Sequence, residues 1–518
     1  MAVETPLPDI SDNITLFKSI YSIGLLIFSI SMIMGLIFTG QTKISSEVSP
    51  ILAFVVIWGA IIWLTMVEGG QASLVGLAPV NPELYKVSHK KTHSICQFCF
   101  TGDNLDRYLL GRQFLVVLTV FAVNMSGGPT KGATLWGLPE WVISIFLGSG
   151  LAMILFTCMV GQLNSQVNAS LCMLDYINNF FMSAVFWVSM AIEFTGLLHA
   201  SYVLQMIVCY LAKQPVESKE PPRSGLVAIF FWLRCLFSLG ALGFALAVTF
   251  TALFEGKTTV WEGIPPIAAV FIFIFLLCVV GMLEAMQIAF FAVAKICAKD
   301  RGSNIFARKT AHLLFSGDAH NLPGFMVGRQ LCVVSCMFFV ARVTSVEIAP
   351  GETNVFGVSD GVQKLFDTGL LGALITTIIG SIAWQLVASC FPIAFMCSPI
   401  TYILLRICLL LEGTGLCQGA WVIADIHKAV AGFKRDEEYI GTAEERAGLS
   451  MKDDNTVLEY GPGHIVKLPN FIDHAPQSLQ ELAQSDAKVA KFVQSLSVTN
   501  GAGDATDSDG DGEVEALA

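Results

Sequence analysis

Charge is scarce in this chain. Asp, Glu, Lys and Arg make up 14% of its 518 residues, hydrophobic residues make up 54%, and the mean hydropathy is +0.66. A soluble domain carries roughly 25% charged residues, so the shortage excludes a fold that meets water on every side. A basic segment ahead of the first apolar run is also missing, because the leading residues are acidic or polar (Glu4, Asp9, Asp12). No cleavable leader is therefore expected, and the first apolar run serves as its own insertion signal. Disulfide chemistry is lacking too: the cysteines lie mostly inside apolar runs (Cys158, Cys209, Cys278, Cys332, Cys336), where they act as small hydrophobes. No nucleophile–base pairing stands out. His89 and His93 lack the glutamate of a zinc protease. Asp507, Asp509 and Asp511 imitate a calcium loop that ends on Ala518 instead of an acid. Neither an enzyme nor a cofactor is expected, and nucleic acid is not expected as a partner.

What the chain does have is long apolar runs. They cover 14–38, 50–77, 141–160, 180–212, 226–253, 267–297, 370–396 and 400–423, each near or above the roughly 20 residues that cross a bilayer as a helix. Two shorter runs, 114–125 and 331–341, bring the expectation to about ten spans of an all-α, multi-pass membrane protein. Sliding the second half back by about 215 to 219 residues superposes Lys18 on Arg234, Pro50 on Pro266, Gly161 on Gly380 and Thr195-Gly196-Leu197 on Thr414-Gly415-Leu416. This predicts a first repeat at 14–212, a connecting loop at 213–223 and a second repeat at 224–430, between tails 1–13 and 431–518. Five spans per repeat would set the copies in opposite senses, so inverted repeats are expected.

Loop charges pull the other way. Lys86, Lys90, Lys91 and Arg107 in the first repeat, and Lys295, Lys299, Arg301, Arg308 and Lys309 in the second, would all be cytoplasmic. A miscounted span in each half is the alternative. Lys428, Lys434 and Arg435 place the carboxyl-terminal tail in the cytoplasm by the same rule. In that tail Ser478-Leu479-Gln480-Glu481 opens an expected short helix at 478–498, whose heptad is interrupted by Asp486. The Gly/Asp-rich end after it is expected to be disordered.

Polar side chains inside the apolar stretches carry the functional signal. Glu68-Gly69-Gly70-Gln71 and Gly111-Arg112-Gln113 occur in the first repeat; Glu284-Ala285-Met286-Gln287 and Gly328-Arg329-Gln330 occur in register in the second. Such groups are costly in a bilayer, and a repeated set points to a site between two halves. Glu and Gln three apart share one helix face. Gly111 and Gly328 suit a helix start, where an arginine next to the positive end of the dipole needs a carboxylate, so Glu68 and Glu284 are the expected partners. Adding Gln71, Gln113, Gln287 and Gln330 gives many donors and acceptors with no net charge, a lining suited to a small, neutral, polyhydroxylated solute. Gly69-Gly70 is an expected break in its helix, with Ala285-Met286 stiffer. Gluing helices together is the alternative use of the same residues. Gln166, Glu193, Gln385 and Glu412 are candidates for an ion or proton path. His89, His93, Cys96 and Cys99 have spacing open to zinc, although Ala311 and Leu314 stand near the cysteine positions in the second half.

At these residues the chain resembles the diatom silicic acid transporter family, marked by paired Glu-Gly-x-Gln and Gly-Arg-Gln motifs in a ten-span domain. Only Glu284-Ala285-Met286-Gln287 departs, lacking the glycine; Cys172-Met173-Leu174-Asp175 also resembles a short family motif once considered for zinc. The resemblance covers roughly 14–430. It implies uptake of silicic acid across the plasma membrane, commonly coupled to sodium, within a lipid bilayer and with self-association through a coiled-coil tail. Alternating access about the site is then expected, with Glu and Arg holding its shape and the glutamines touching solute. Sodium ligands would come from unwound carbonyls and hydroxyls. A channel or sensor for a similar solute is the alternative.

Overall fold

A computed structural model describes residues 13–441 apart from 46, 131, 217, 219, 262, 295–300, 302–303, 316–320 and 349–351. The helix expected at 478–498 and the acidic end after it lie outside the described residues. Among those described, the chain is helical, with no strand beyond isolated bridge pairs. The first repeat runs α1 Asn13–Phe38, α2 Pro50–Leu77, α3 Lys90–Cys99, α4 Asn104–Gly127, α5 Glu140–Gly148, α6 Leu151–Leu171, α7 Phe180–Phe194 and α8 Ala200–Leu211. The second follows the same order: α9 Gly225–Phe254, α10 Pro266–Ala294, α11 Ile305–Phe315, α12 Asn321–Thr344, α13 Asp360–Asp367, α14 Leu370–Cys390, α15 Pro399–Gly413 and α16 Gly419–Ala431. Local chemistry sets the starts. Ser49 caps α2 by accepting from the Leu52 N–H at 3.4 Å, ahead of Pro50, and Asn179 caps α7 by accepting from Met182 at 2.7 Å.

Seven of these helices (α1, α2, α4, α9, α10, α12 and α14) are long and apolar enough to cross a membrane, and α5 with α6, bent by 47°, makes an eighth candidate. The described residues do not confirm the expected ten. The runs 180–212 and 400–423 are each broken into helices of 15 and 12 residues (α7, α8) and of 15 and 13 residues (α15, α16). Gly196 (φ +83°) and Gly415 (φ +75°) sit in the breaks, in the left-handed region that favours glycine. Each break docks on the opposite repeat. Ser238 Oγ accepts from the Ala200 N–H at 2.9 Å and donates to Leu197 O at 2.6 Å; Ser22 Oγ does the same with Gly419 and Leu416 at 2.9 and 2.6 Å. Beyond the break, α8 packs on α9 and α14, and α16 packs on α1 and α6, so the repeats exchange their last helices.

These contacts overturn the inverted arrangement. The loops after α1 and α9 meet: Lys43 Nζ donates to Thr259 Oγ1 at 3.5 Å, Thr42 pairs with Pro129 and Thr258 with Val346. Arg342 Nη1 donates to Gly148 O at 3.0 Å on the same face, here the upper face. On the lower face Asp436 accepts from the Met173 and Leu174 N–H groups at 2.9 and 2.8 Å, and Cys209 Sγ lies 3.7 Å from Cys390 Sγ. Equivalent ends of the two repeats therefore share a face, and the copies run in the same sense. The physical reason lies in α7 and α8. This pair begins on the lower face, where Lys91 covers Phe180, and the chain beyond it is still there, where Arg107 meets Glu220 at 2.7 Å. Counting α5 with α6 as one, each repeat has four candidate spans, an even number, which removes the conflict with the loop charges. Cysteines placed singly at the exposed positions Glu47 and Glu255 should both react with an impermeant maleimide from one side of the membrane; reaction from opposite sides would restore inversion.

The glycine break in α2 is also corrected, since α2 runs unbroken through Gly69 and Gly70. A Cβ at Gly69 would overlap the Tyr176 ring, and one at Gly70 would stand 2.6 Å from Met182 and 2.8 Å from the Tyr108 hydroxyl. These glycines make room for side chains of neighbouring helices and do not unwind their own.

Candidate functional site

Both expected ion pairs form, and in the same way. Glu68 and Arg112 are 5% and 3% exposed, Glu284 and Arg329 4% and 3%. Arg112 Nη2 donates to Glu68, and Arg329 Nη2 lies 2.7 Å from Glu284 Oε2. Each guanidinium uses two further donors. Nε reaches the carbonyl just before the glutamate (Val67 at 3.2 Å, Leu283 at 2.9 Å), and Nη1 reaches the next glutamine (Gln113 at 2.8 Å, Gln330 at 2.9 Å). A planar fork satisfies three acceptors at fixed angles, which a lysine ammonium cannot match. One expectation changes: α4 and α12 begin at Asn104 and Asn321, so the arginines lie about two turns inside their helices. Burial, not the dipole at a helix start, makes the carboxylates necessary.

The two pairs converge where α2, α4, α10 and α12 meet, and they line one small polar cavity with Gln71, Gln113, Gln287 and Gln330. Val116, Val333 and Met337, about one or two turns further towards the upper face, add apolar surface to its lining. Gln166 lines it too, as does Gln162, which sequence reasoning missed. Gln162 precedes Gln166 by four residues and shares its helix face, a signal that was readable. It sits in wide, π-type turns at Thr157–Leu163, a distortion common at functional sites. Gln162 and Gln166 each donate to Glu68 at 3.2 Å, and Gln330 Nε2 donates to Gln162 Oε1 at 2.7 Å, linking the repeats. Gln385 donates to Glu284 at 2.8 Å but does not line the cavity.

Other candidates lie elsewhere. Glu193 sits 3.6 Å from His199 Nε2 near the first break, and Glu412 is half-buried near Gly324; neither lines the cavity. A Cβ on Gly111 would overlap the Ser189 carbonyl oxygen of α7, and one on Gly328 the Cys408 carbonyl oxygen of α15. Those glycines seat helix crossings. His89 Nε2 lies 3.0 Å from Asp175, and His93 lies 3.6 Å from Glu83. Burial pushes the Cys96 and Cys99 thiols up to about 12, away from the thiolate a metal needs. Among the described residues no three His, Cys, Asp or Glu side chains converge on a metal position. Asp175 also accepts the Lys434 N–H at 2.7 Å, so Cys172-Met173-Leu174-Asp175 anchors the segment after α16.

Two internally neutralised ion pairs and six amides thus surround one space without net charge. No curated relative and no solved structure matches the chain. The silicon transporter family model matches residues 10–516, almost the whole length, and the chain therefore belongs to the silicon transporter family, whose members move silicic acid across membranes.

Proposed function

We propose that silicic acid crosses through the cavity between the repeats, by sodium-coupled symport with alternating access. The carrying observation is the doubled Glu–Arg–Gln arrangement around one uncharged polar space. Silicic acid is a neutral tetrahedron of hydroxyls near neutral pH. Amides offer it donors and acceptors from several directions, while the arginines are already committed and exert no pull on anions. Parallel repeats support rocking of one half against the other about an axis along the membrane normal. Access from the upper face then needs the Val116, Val333 and Met337 layer to part and the Lys43–Thr259 and Arg342–Gly148 bonds to break. The lower face carries Lys86, Lys90, Lys91, Arg107, Arg308, Lys309 and Lys434, which supports a cytoplasmic lower face and carboxyl terminus in the plasma membrane. Sodium coupling is carried by the family resemblance and not by a ligand set.

Germanic acid uptake into liposomes holding the purified chain tests this. Saturable uptake that accelerates with an inward sodium gradient is expected. Uptake that ignores sodium and never saturates would leave a channel in place of a symporter.

A further inference from the structure

We infer that the cavity binds a single polyhydroxylated solute per chain, because one pair of equivalent positions, Gln162 and Ser381, breaks the two-fold symmetry of the site. The inference rests on the reading just given. The offset that superposes Gly161 on Gly380 and Gln166 on Gln385 places Gln162 opposite Ser381. The charged and amide groups of the two motifs are matched: glutamate, arginine and both motif glutamines occur twice with the same bonding pattern on the arginines. Among the side chains that bond to these groups, the difference lies on α6 and α14.

In the first repeat Gln162 crosses the boundary. Its carbonyl accepts from Gln330 of the second repeat at 2.7 Å, its amide donates to Glu68 at 3.2 Å, and Gln166 adds a bond to Gln330 at 3.4 Å. In the second repeat the wide turns at Ile378–Ile382 recur, but Ser381 is too short to reach across. It accepts from Gln385 of its own helix at 3.3 Å, and Gln385 spends its amide on Glu284 at 2.8 Å. The cavity is accordingly lined by Gln162 and Gln166 but by neither Ser381 nor Gln385. Beyond the matched Gln71 and Gln287, amides able to exchange a protein partner for a solute hydroxyl thus gather at one seam, where Gln162 and Gln166 of the first repeat meet Gln330 of the second. A tetrahedral hydroxylated solute inserts there by replacing the Gln162–Gln330 bond, keeping both amides satisfied. The second repeat supplies Gln330 to this seam but no counterpart of Gln162, and so no second site.

The test is equilibrium binding of germanic acid to the purified full chain in nanodiscs. One solute per chain is expected. Gln162→Ser should weaken binding about 10-fold, the effect of losing roughly one net hydrogen bond, whereas Ser381→Ala should change it less than about 2-fold. Should Gln162→Ser fail to give a folded sample, Gln162→Glu, which keeps the reach but lacks the amide donor, takes its place with the same expected direction. Two solutes per chain, or equal losses from both substitutions, would overturn the inference. A wild-type chain that binds no germanic acid would instead sink the transport reading itself. Binding of one solute that Gln162→Ser leaves unchanged would sink only the single-sided site.

Discussion

Arg112→Met is expected to destabilise the protein by about 3–5 kcal/mol, the cost of stranding one partner of a buried ion pair. Glu68 would keep its burial and lose the guanidinium, leaving the amides of Gln162 and Gln166 as side-chain donors. Two neutral donors do not replace a counter-charge in a low-dielectric interior. The equivalent change in the second repeat should cost more, because Arg329→Met leaves Glu284 with Gln385 alone. The decisive comparison is the double variant Glu68→Met/Arg112→Met. Replacing both partners by apolar side chains of similar volume is commonly neutral or stabilising. Folding should therefore return while uptake does not, since the polar frame around Gln113 has gone. Thermal unfolding of purified protein in detergent reads the first effect, and germanic acid uptake reads the second. A single Arg112→Met variant that unfolds at the wild-type temperature would show that Glu68 is not held as a buried ion. A double variant that still transports would show that the pair is glue between α2 and α4 and not part of the site.

The residues of this frame are legible because they break a rule visible in one dimension. Glu68, Gln71, Glu284 and Gln287 are polar where their surroundings are apolar, three apart, and duplicated in register. The sense of the repeats is not legible from hydropathy, because it turns on whether 180–212 and 400–423 each cross the bilayer. Gly196 and Gly415 end a helix within runs that stay apolar on both sides, so composition does not mark the break. The loop charges are the better witness: Lys86, Lys90, Lys91 and Arg107 lie on one face with Arg308 and Lys309, as the positive-inside rule requires of both. The start of α4 misleads for a related reason. Asn104, Asp106 and Arg107 look like a loop in sequence, but they form the first turn of a helix that begins at the lower surface and becomes mostly buried from Tyr108 onward. Gln162 escapes notice because its repeat partner is a serine, and matching the halves pair by pair passes over positions where they differ.

Gly111→Ala and Gly328→Ala should also be strongly destabilising, against the usual sign for such a change. Alanine in a helix interior is ordinarily favoured over glycine by about 1 kcal/mol. Here the new methyl group would occupy the place of a backbone carbonyl oxygen, Ser189 in one repeat and Cys408 in the other. A flexible side chain could swing aside, as Met182 could beside Gly70, but a helix backbone cannot. α7 or α15 would have to retreat as a body, and overpacking of this kind costs about 1–3 kcal/mol. The retreat has consequences beyond the contact. The break after α7 is docked on Ser238 of the second repeat, and the break after α15 on Ser22 of the first. Displacing either helix therefore strains the exchange that holds the halves together and tilts the arginine next to the glycine. Gly59→Ala is the control, because a Cβ there meets nothing within 4 Å on the exposed side of α2. Its unfolding temperature should stay level or rise, while the other two fall and lose uptake. If Gly111→Ala matched Gly59→Ala, α7 would not lie against α4 at that point. With the expected result, the glycine of each Gly-Arg-Gln motif acts by letting two backbones touch, so that the following arginine is held rigidly against its glutamate.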